Sequence, residues 1–300
     1  MLPLTKIWLC YGIFSVFLMI FMIILLSVSK HFTYSFYRVI TMDIILNLLC
    51  WINTWPNRMV FREDGLEFAL AIYETYDKII DICYLLQNVF LHIQSLSSIC
   101  ICFHRLSTAL FENSNKFWNR YYLLIYAFLV IYSFLAVQLL NRAPIKFNYE
   151  QKMFYSEILT KDQYIAIGIY LRYFIGGYLL AIIIIASSTL YQVRKRFVTH
   201  DNLHKDLLRK MSLIAFSHTS IYGMLLVWQT ASMYIHYGDV LNLMMTLSDM
   251  VSFSMAYILL IFDGNVRSVI KSKLPISKMV RGRVSDIQSS QNNISRVIVE

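Results

Sequence analysis

Runs of about twenty apolar residues that recur along most of the chain constrain this sequence more than anything else in it. The first, from Ile7 to Ser29, holds about 23 residues, enough at about 1.5 Å per residue to cross a hydrocarbon core of about 30 Å. Further runs at 38–55, 82–103, 121–140, 164–191, 211–234 and 240–262 bring the expected total to seven. The chain is 58% hydrophobic and 15% charged, whereas an average soluble domain is about a quarter charged. One soluble core cannot hide so much apolar surface. The expected architecture is an all-α membrane protein: a seven-transmembrane helix bundle over 1–274, followed by a cytoplasmic tail at 275–300 that is expected to be disordered.

The first run ends in Ser27-Val28-Ser29, which mimics a signal-peptide cleavage site. It is longer than the apolar region of a cleaved signal, so a retained helix is expected. Orientation follows from the basic residues. With the N-terminus outside, the three inner loops carry two, three and six Lys or Arg, and the tail seven, so 18 of the 27 lie inside. Six acidic residues, Glu63, Asp64, Glu67, Glu74, Asp77 and Asp81, crowd one outer segment. The net charge of +9 is thus a topology signal and not a nucleic-acid footprint. After the seventh run, Val266, Val269, Ile270 and Leu274 share a helix face, so a short amphipathic inner helix is expected, its basic residues towards anionic lipid.

Cys10, Cys50, Cys100 and Cys102 lie inside apolar runs, where a thiol serves as a small buried hydrophobe. No cysteine falls between Asn141 and Gln163, so the second outer loop has no disulfide partner to offer. The outer face must be organised by something else.

Polar residues inside a bilayer normally face the bundle interior and find partners there. Asp43 and Asn47 share a face of span two, and Asn242, Thr246 and Asp249 a face of span seven, which gives an interior polar seam of Asp43, Asn47, Thr246 and Asp249. Interhelical hydrogen bonds or a bound cation would each satisfy it, and either Asp43 or a serine is open as the partner of Asp249. Span three is the most polar, with Asn88, His92 and Ser95 on one stripe and Gln87, Gln94 and Ser98 beside it, and should be the central helix. Arg172 lies about 12 Å along span five from its outer end. It is a counter-charge for a small anionic ligand, supported by Tyr170 and Tyr173, or else it pairs with an acidic loop residue or the headgroups. Helix directions place Asn88, His92, Tyr170, Trp228, Gln229, Tyr234 and Asn242 at the outer ends of spans three, five, six and seven, where they would line a mostly apolar pocket. No nucleophile elbow, phosphate loop, zinc helix or dinucleotide fingerprint occurs. Neither an enzyme, nor a cofactor, nor a metal site is expected.

The run Ser35-Phe36-Tyr37-Arg38, then Met42-Asp43, Asn47 and Ile52-Asn53-Thr54-Trp55, followed by Phe90-Leu91-His92-Ile93-Gln94-Ser95-Leu96-Ser97, resembles the nematode serpentine receptors of class gamma. His104-Arg105-Leu106-Ser107 with Lys116-Phe117-Trp118 and Tyr121-Tyr122 is similar to that class's pattern at the inner end of the third helix, as Leu259 to Arg267 is to the close of its seventh. The resemblance covers the chain to about Leu274. It implies a chemoreceptor of sensory neurons, often in cilia, that binds an environmental or pheromonal small molecule and signals through a heterotrimeric G protein. By position Arg105 would match the arginine such receptors place at the G-protein face; His104, Arg194, Lys195, Arg196 and Arg267 are expected at the same face. Two positions depart from the pattern: His104 stands where Asn is expected, and span seven has no proline near Met255 and Ala256. The chief rival is a transporter or ligand-gated channel, since a polar seam also lines transport pathways. Ligand identity, G-protein subtype and oligomeric state are not encoded in any motif.

Overall fold

A computed structural model of the chain describes residues 3–60, 62–138, 144–156, 161–197, 216–217, 219–228, 230–231 and 237–273. Its helices are α1 (Pro3–Val28), α2 (Ser35–Val60), α3 (Leu66–Thr75), α4 (Asp77–Leu110), α5 (Ser114–Gln138), α6 (Lys161–Phe197), α7 (Thr219–Trp228), α8 (Tyr237–Phe262) and α9 (Gly264–Lys273). A two-stranded antiparallel hairpin, β1 (Ile145–Asn148) and β2 (Met153–Ser156), joins α5 to α6. Among the described residues six helices are long and apolar enough to cross a membrane: α1, α2, α4, α5, α6 and α8. The expected run 211–234 lies partly outside the described residues, and within it α7 is a shorter apolar helix.

Most helices overrun their apolar runs. α2 extends from 38–55 to Ser35–Val60, α4 from 82–103 to Asp77–Leu110, and α6 from 164–191 to Lys161–Phe197. The reason is that backbone hydrogen bonding continues into the polar interface after the hydrophobic requirement has ended. The extension matters on α2, because it carries Asn57 and Arg58 into the bundle. Pro56 sits inside this helix and removes one backbone donor. Beside it Asn53 and Asn57 both donate from their side chains to the Cys83 carbonyl of α4, each at 3.0 Å.

α4 packs against α2, α3, α5 and α6, the central position expected of the most polar span. α5 sits at the periphery. Leu124, Phe128, Ile131 and Leu135 form an exposed apolar stripe on it, while Tyr126, Ser133 and Val137 are buried, so one face meets lipid and the other the bundle. α1 is similarly divided, with Trp8, Met19 and Met22 buried and Phe14 and Phe17 exposed. Cys10 falls on the exposed side of α1, which corrects the expectation that it is buried. Gly12 lets α1 approach α2 closely, since a Cβ there would lie 2.6 Å from the Trp51 ring.

The disulfide-free end of the bundle is closed by an apolar cap. Met59, Val60, Ala69, Ile80, Ile145, Phe147 and Phe154 form one buried cluster, with Trp55 and Tyr73 packed against it. The Phe147 and Phe154 rings lie 4.9 Å apart across the hairpin, and Tyr73 of α3 meets Phe154 edge-on at 5.6 Å. Asn148 Oδ1 accepts from the backbone of Glu150 and Gln151 in the turn, and Asp81 Oδ1 accepts from the Ile145 backbone at 2.8 Å, which ties the strand to α4. The crowded acidic segment is therefore partly structural, and the fold is not purely helical.

The chain divides at Ala256 into a body and a C-terminal piece that begins with Tyr257. In that piece Asp263 Oδ1 accepts from the backbone of Asn265 and Val266 at 2.9 and 3.2 Å, an N-cap that starts α9. α9 leaves Arg267, Ser268 and Lys271 exposed. Replacing Asp81 by Ala should free the hairpin without unfolding the bundle. Hydrogen exchange of 145–156 in lipid nanodiscs should then accelerate by about tenfold, the equivalent of about 1.4 kcal/mol of lost local stability, while exchange within α4 stays unchanged.

Candidate functional site

Between α2, α4, α6, α7 and α8 lies a cavity of about 110 Å³. Its α4 wall is Gln87, Asn88, Leu91, Gln94 and Ser95, residues whose spacing places them on one helical face. Cys50 and Thr54 of α2, Leu171 and Ile175 of α6, Tyr222, Leu225 and Trp228 of α7, and Met244, Ser248 and Val251 of α8 complete the lining. No lining residue is charged.

Of the residues expected to line an outer pocket, Asn88 and Trp228 line this cavity. His92 does not. One turn beyond Asn88, it is turned towards α6, where its Nδ1 lies 2.7 Å from the Tyr178 hydroxyl and its ring meets Phe174 edge-on at 5.0 Å. Tyr170 faces α5 and donates to the Ala136 carbonyl at 2.8 Å. Tyr173 is 78% exposed, on the outside of α6. Arg172 donates from Nε to the Gly168 carbonyl of its own helix at 3.1 Å and makes no ion pair among the described residues. Neither Tyr170 nor Tyr173 joins it in a pocket, because consecutive helical positions diverge by about 100°. Asn242 instead accepts from Arg62 Nη1 at 2.9 Å. Gln229 and Tyr234 lie outside the described residues. The α4 face was legible in Gln87, Leu91 and Gln94, spaced four and three apart; the walls given by α2 and α8 had no signal in the sequence.

The single polar seam expected from Asp43, Asn47, Thr246 and Asp249 is two separate clusters. In the first, Ser97 donates to Asp43 Oδ1 at 2.6 Å and Asn47 Nδ2 to Asp43 Oδ2 at 3.0 Å. Gln94 Nε2, in the cavity wall, donates to Asn47 Oδ1 at 2.7 Å and to Ser252 at 3.0 Å. The Ser97 and Tyr126 hydroxyls are 3.0 Å apart, and Tyr126 donates to the Val39 carbonyl. One chain of hydrogen bonds thus runs from the cavity through α2, α4 and α5. Ser98 and Tyr222 add α7 at 3.1 Å.

The second cluster corrects the expected partner of Asp249. That carboxylate forms a two-pronged ion pair with Arg58, Nη1 to Oδ2 at 2.9 Å and Nη2 to Oδ1, and also accepts from the Tyr11 hydroxyl. Arg58 is fully buried between the rings of Trp8 and Trp55, each 5.3 Å from its guanidinium carbon. Trp8 donates to Thr246 at 3.2 Å. Sequence reading missed Arg58 because it lay beyond the apolar run; its place two residues after Pro56, in line with Thr54, was the available hint. The pair ties α1, α2 and α8 together and shows why α1 is integral to the bundle.

At the far end from the cap, the motif segments meet. His104 is buried, its Nε2 2.8 Å from the Ser35 hydroxyl and its ring 5.0 Å from Trp118. Trp118 Nε1 and the Ser114 hydroxyl both donate to Ser107. His104 is therefore a packing residue and not part of an exposed face, since the apolar surroundings and the Ser35 bond hold it inside. Arg105 is half-buried with its guanidinium 4.8 Å from the centre of the Phe36 ring. Arg194 and Lys195 are exposed near the end of α6, in whose last turn Arg196 also lies. Arg267 is exposed on α9.

Long apolar helices, a lipid-facing rim and an inward-turned polar network define a multi-pass membrane protein of the serpentine type. The chain belongs to the Srg family of chemoreceptors, whose family model matches residues 5–270. It is 69% identical over 295 residues to serpentine receptor class gamma-53 of Caenorhabditis elegans, covering 98% of this chain and all of that one. It is 24% identical over 281 residues to serpentine receptor class gamma-47 of the same organism, covering 89% of each.

Removing one partner of a buried ion pair leaves an uncompensated charge, at a cost of about 3–5 kcal/mol. Arg58→Met and Asp249→Leu should each cut surface expression and lower the melting temperature of the detergent-solubilised protein. The double variant should recover most of the loss, because it buries no lone charge. Additive loss in the double variant would contradict the pairing.

Proposed function

We propose that this protein is a chemosensory receptor with its N-terminus outside and its C-terminus in the cytosol, carried on the plasma membrane of sensory cilia. A small-molecule ligand enters the cavity from the cap side, and the signal passes to a heterotrimeric G protein at the opposite end. The observation that carries this reading is the hydrogen-bonded chain from Gln94, in the cavity wall, through Asn47 and Asp43 to Ser97 and Tyr126.

A ligand acts only through a difference in affinity between two arrangements of the protein. Occupancy at Gln94 changes which partners its amide serves, and the change is felt on α2, α4 and α5 at once. α4 runs without a break from that wall to Arg105. Arg105, Arg194, Lys195 and Arg196 then offer a cationic surface to the G-protein α subunit, while Arg267 and Lys271 on α9 favour anionic lipid. His104 supports Arg105 by fixing this end of α4 to Ser35 and Trp118.

The test is a cell-based second-messenger assay with a promiscuous G-protein α subunit and pooled small-molecule extracts. Wild type should respond. Arg105→Ala should abolish the response at equal surface expression. Gln94→Leu should shift its potency by about 5–150-fold, the range of ordinary allosteric coupling. A current or solute flux that needs no G protein would replace this reading with that of a channel or transporter.

A further inference from the structure

The cavity's chemistry restricts what it can hold. Its wall presents amides, hydroxyls, a thiol and apolar side chains, and no ionised group. An anion placed there would lose its hydration without meeting a cation, which is strongly unfavourable. The nearby cations are already committed, and the carboxyl that adjoins the wall through Gln94, that of Asp43, accepts from Ser97 and Asn47. Arg58 and Asp249 neutralise each other, and Arg172 is absent from the wall and bonded within its own helix.

The wall also holds unused hydrogen-bonding capacity. Among the described residues the side chains of Gln87 and Ser248 make no hydrogen bond, and Asn88 spends only its Nδ2, on the Tyr84 carbonyl at 3.3 Å. Gln87 and Asn88 stand at the end nearest the cap, ten and eleven residues into α4. Below them Leu91, Ile175, Leu225 and Val251 give an apolar floor. At about 110 Å³ the space is a little smaller than an engineered cavity of about 150 Å³ that admits benzene.

We infer that the cavity takes an uncharged molecule of about six non-hydrogen atoms, with one carbonyl, amide or hydroxyl group at Gln87 and Asn88 and a short hydrocarbon part on the floor below, and that it rejects carboxylates of the same size. The inference rests on the reading of this cavity as the receptor's ligand site. Selectivity arises because the amides of Gln87 and Asn88 match a neutral dipole in both donor and acceptor sense, whereas a carboxylate needs a cation that the wall lacks. Chain length is limited by Leu225 and Val251, which close the volume beside Tyr222.

Butanamide and butanoate have the same heavy-atom skeleton and differ in charge near neutral pH, so they isolate that contribution. Binding of a set of short alcohols, ketones and primary amides, these two included, is measured by ligand-observed NMR on the full chain in lipid nanodiscs, with empty nanodiscs as the blank and no G protein present. The expected result is saturable binding of neutral members of about six non-hydrogen atoms, at least about tenfold weaker binding of butanoate than of butanamide, and weak binding of octanamide. Ser248→Phe, which fills the cavity, should weaken butanamide binding by about tenfold or more. Leu225→Ala, which enlarges it, should move the optimum to a longer chain, and this gain guards against mistaking misfolding for loss of the site. Equal binding of butanoate, binding indifferent to Ser248→Phe, or no saturable neutral ligand would each overturn the inference. Binding of the neutral set without any second-messenger response supports it and sinks only the signalling reading; a response to extracts with no neutral binding sinks only the inference.

Discussion

A bilayer offers no water to a buried polar side chain, so each such group in a helical membrane protein must find its partner inside the bundle. The Arg58–Asp249 pair is the most demanding case here, because both charges sit at the meeting of α1, α2 and α8 and are satisfied only when all three are in place. Two tryptophan rings flank the guanidinium, adding the attraction of aromatic faces for a cation. The position of α1, whose first turns supply Trp8 and Tyr11, is therefore fixed by electrostatics as much as by apolar packing.

The same constraint explains how the cap end is ordered without a disulfide. A hairpin of eight strand residues cannot be stable by itself. It becomes stable by burying Ile145, Phe147 and Phe154 against α3 and the ends of α2 and α4, and by bonding its first backbone N–H to Asp81. Beneath this cap the inward-facing polar groups separate into one cluster built on the Arg58–Asp249 ion pair and another in which Ser97 and Asn47 donate to the Asp43 carboxyl. The Asp43 cluster borders the cavity through Gln94, and this placement joins the cavity wall to α2, α4 and α5.

The resemblance motifs also acquire a physical role. Ser35, His104, Ser107 and Trp118 come from three separate stretches of sequence and meet in one group joined by hydrogen bonds and a tilted ring contact. That group holds α2, α4 and α5 together next to Arg105. His104 keeps a polar link to Ser35 while packing its ring, tilted by 52°, against Trp118.

The membrane class, the approximate helix positions and the central place of the polar span were all written along the chain, because hydropathy and charge act locally and the bilayer thickness sets one length for every span. The family was likewise legible, in motifs such as His104 to Ser107 and Ile52 to Trp55. The partner of Asp249, the division of the seam, the turning of His92 and Tyr173 away from the cavity and the cavity's uncharged wall depended on the tertiary structure. Each of these is set by how far one helix is rotated and shifted against another, and that is decided by contacts between distant segments, such as Gly12 against Trp51 or Asn57 against the Cys83 carbonyl. A sequence read along its length carries the period of each helix but not the angle between two of them.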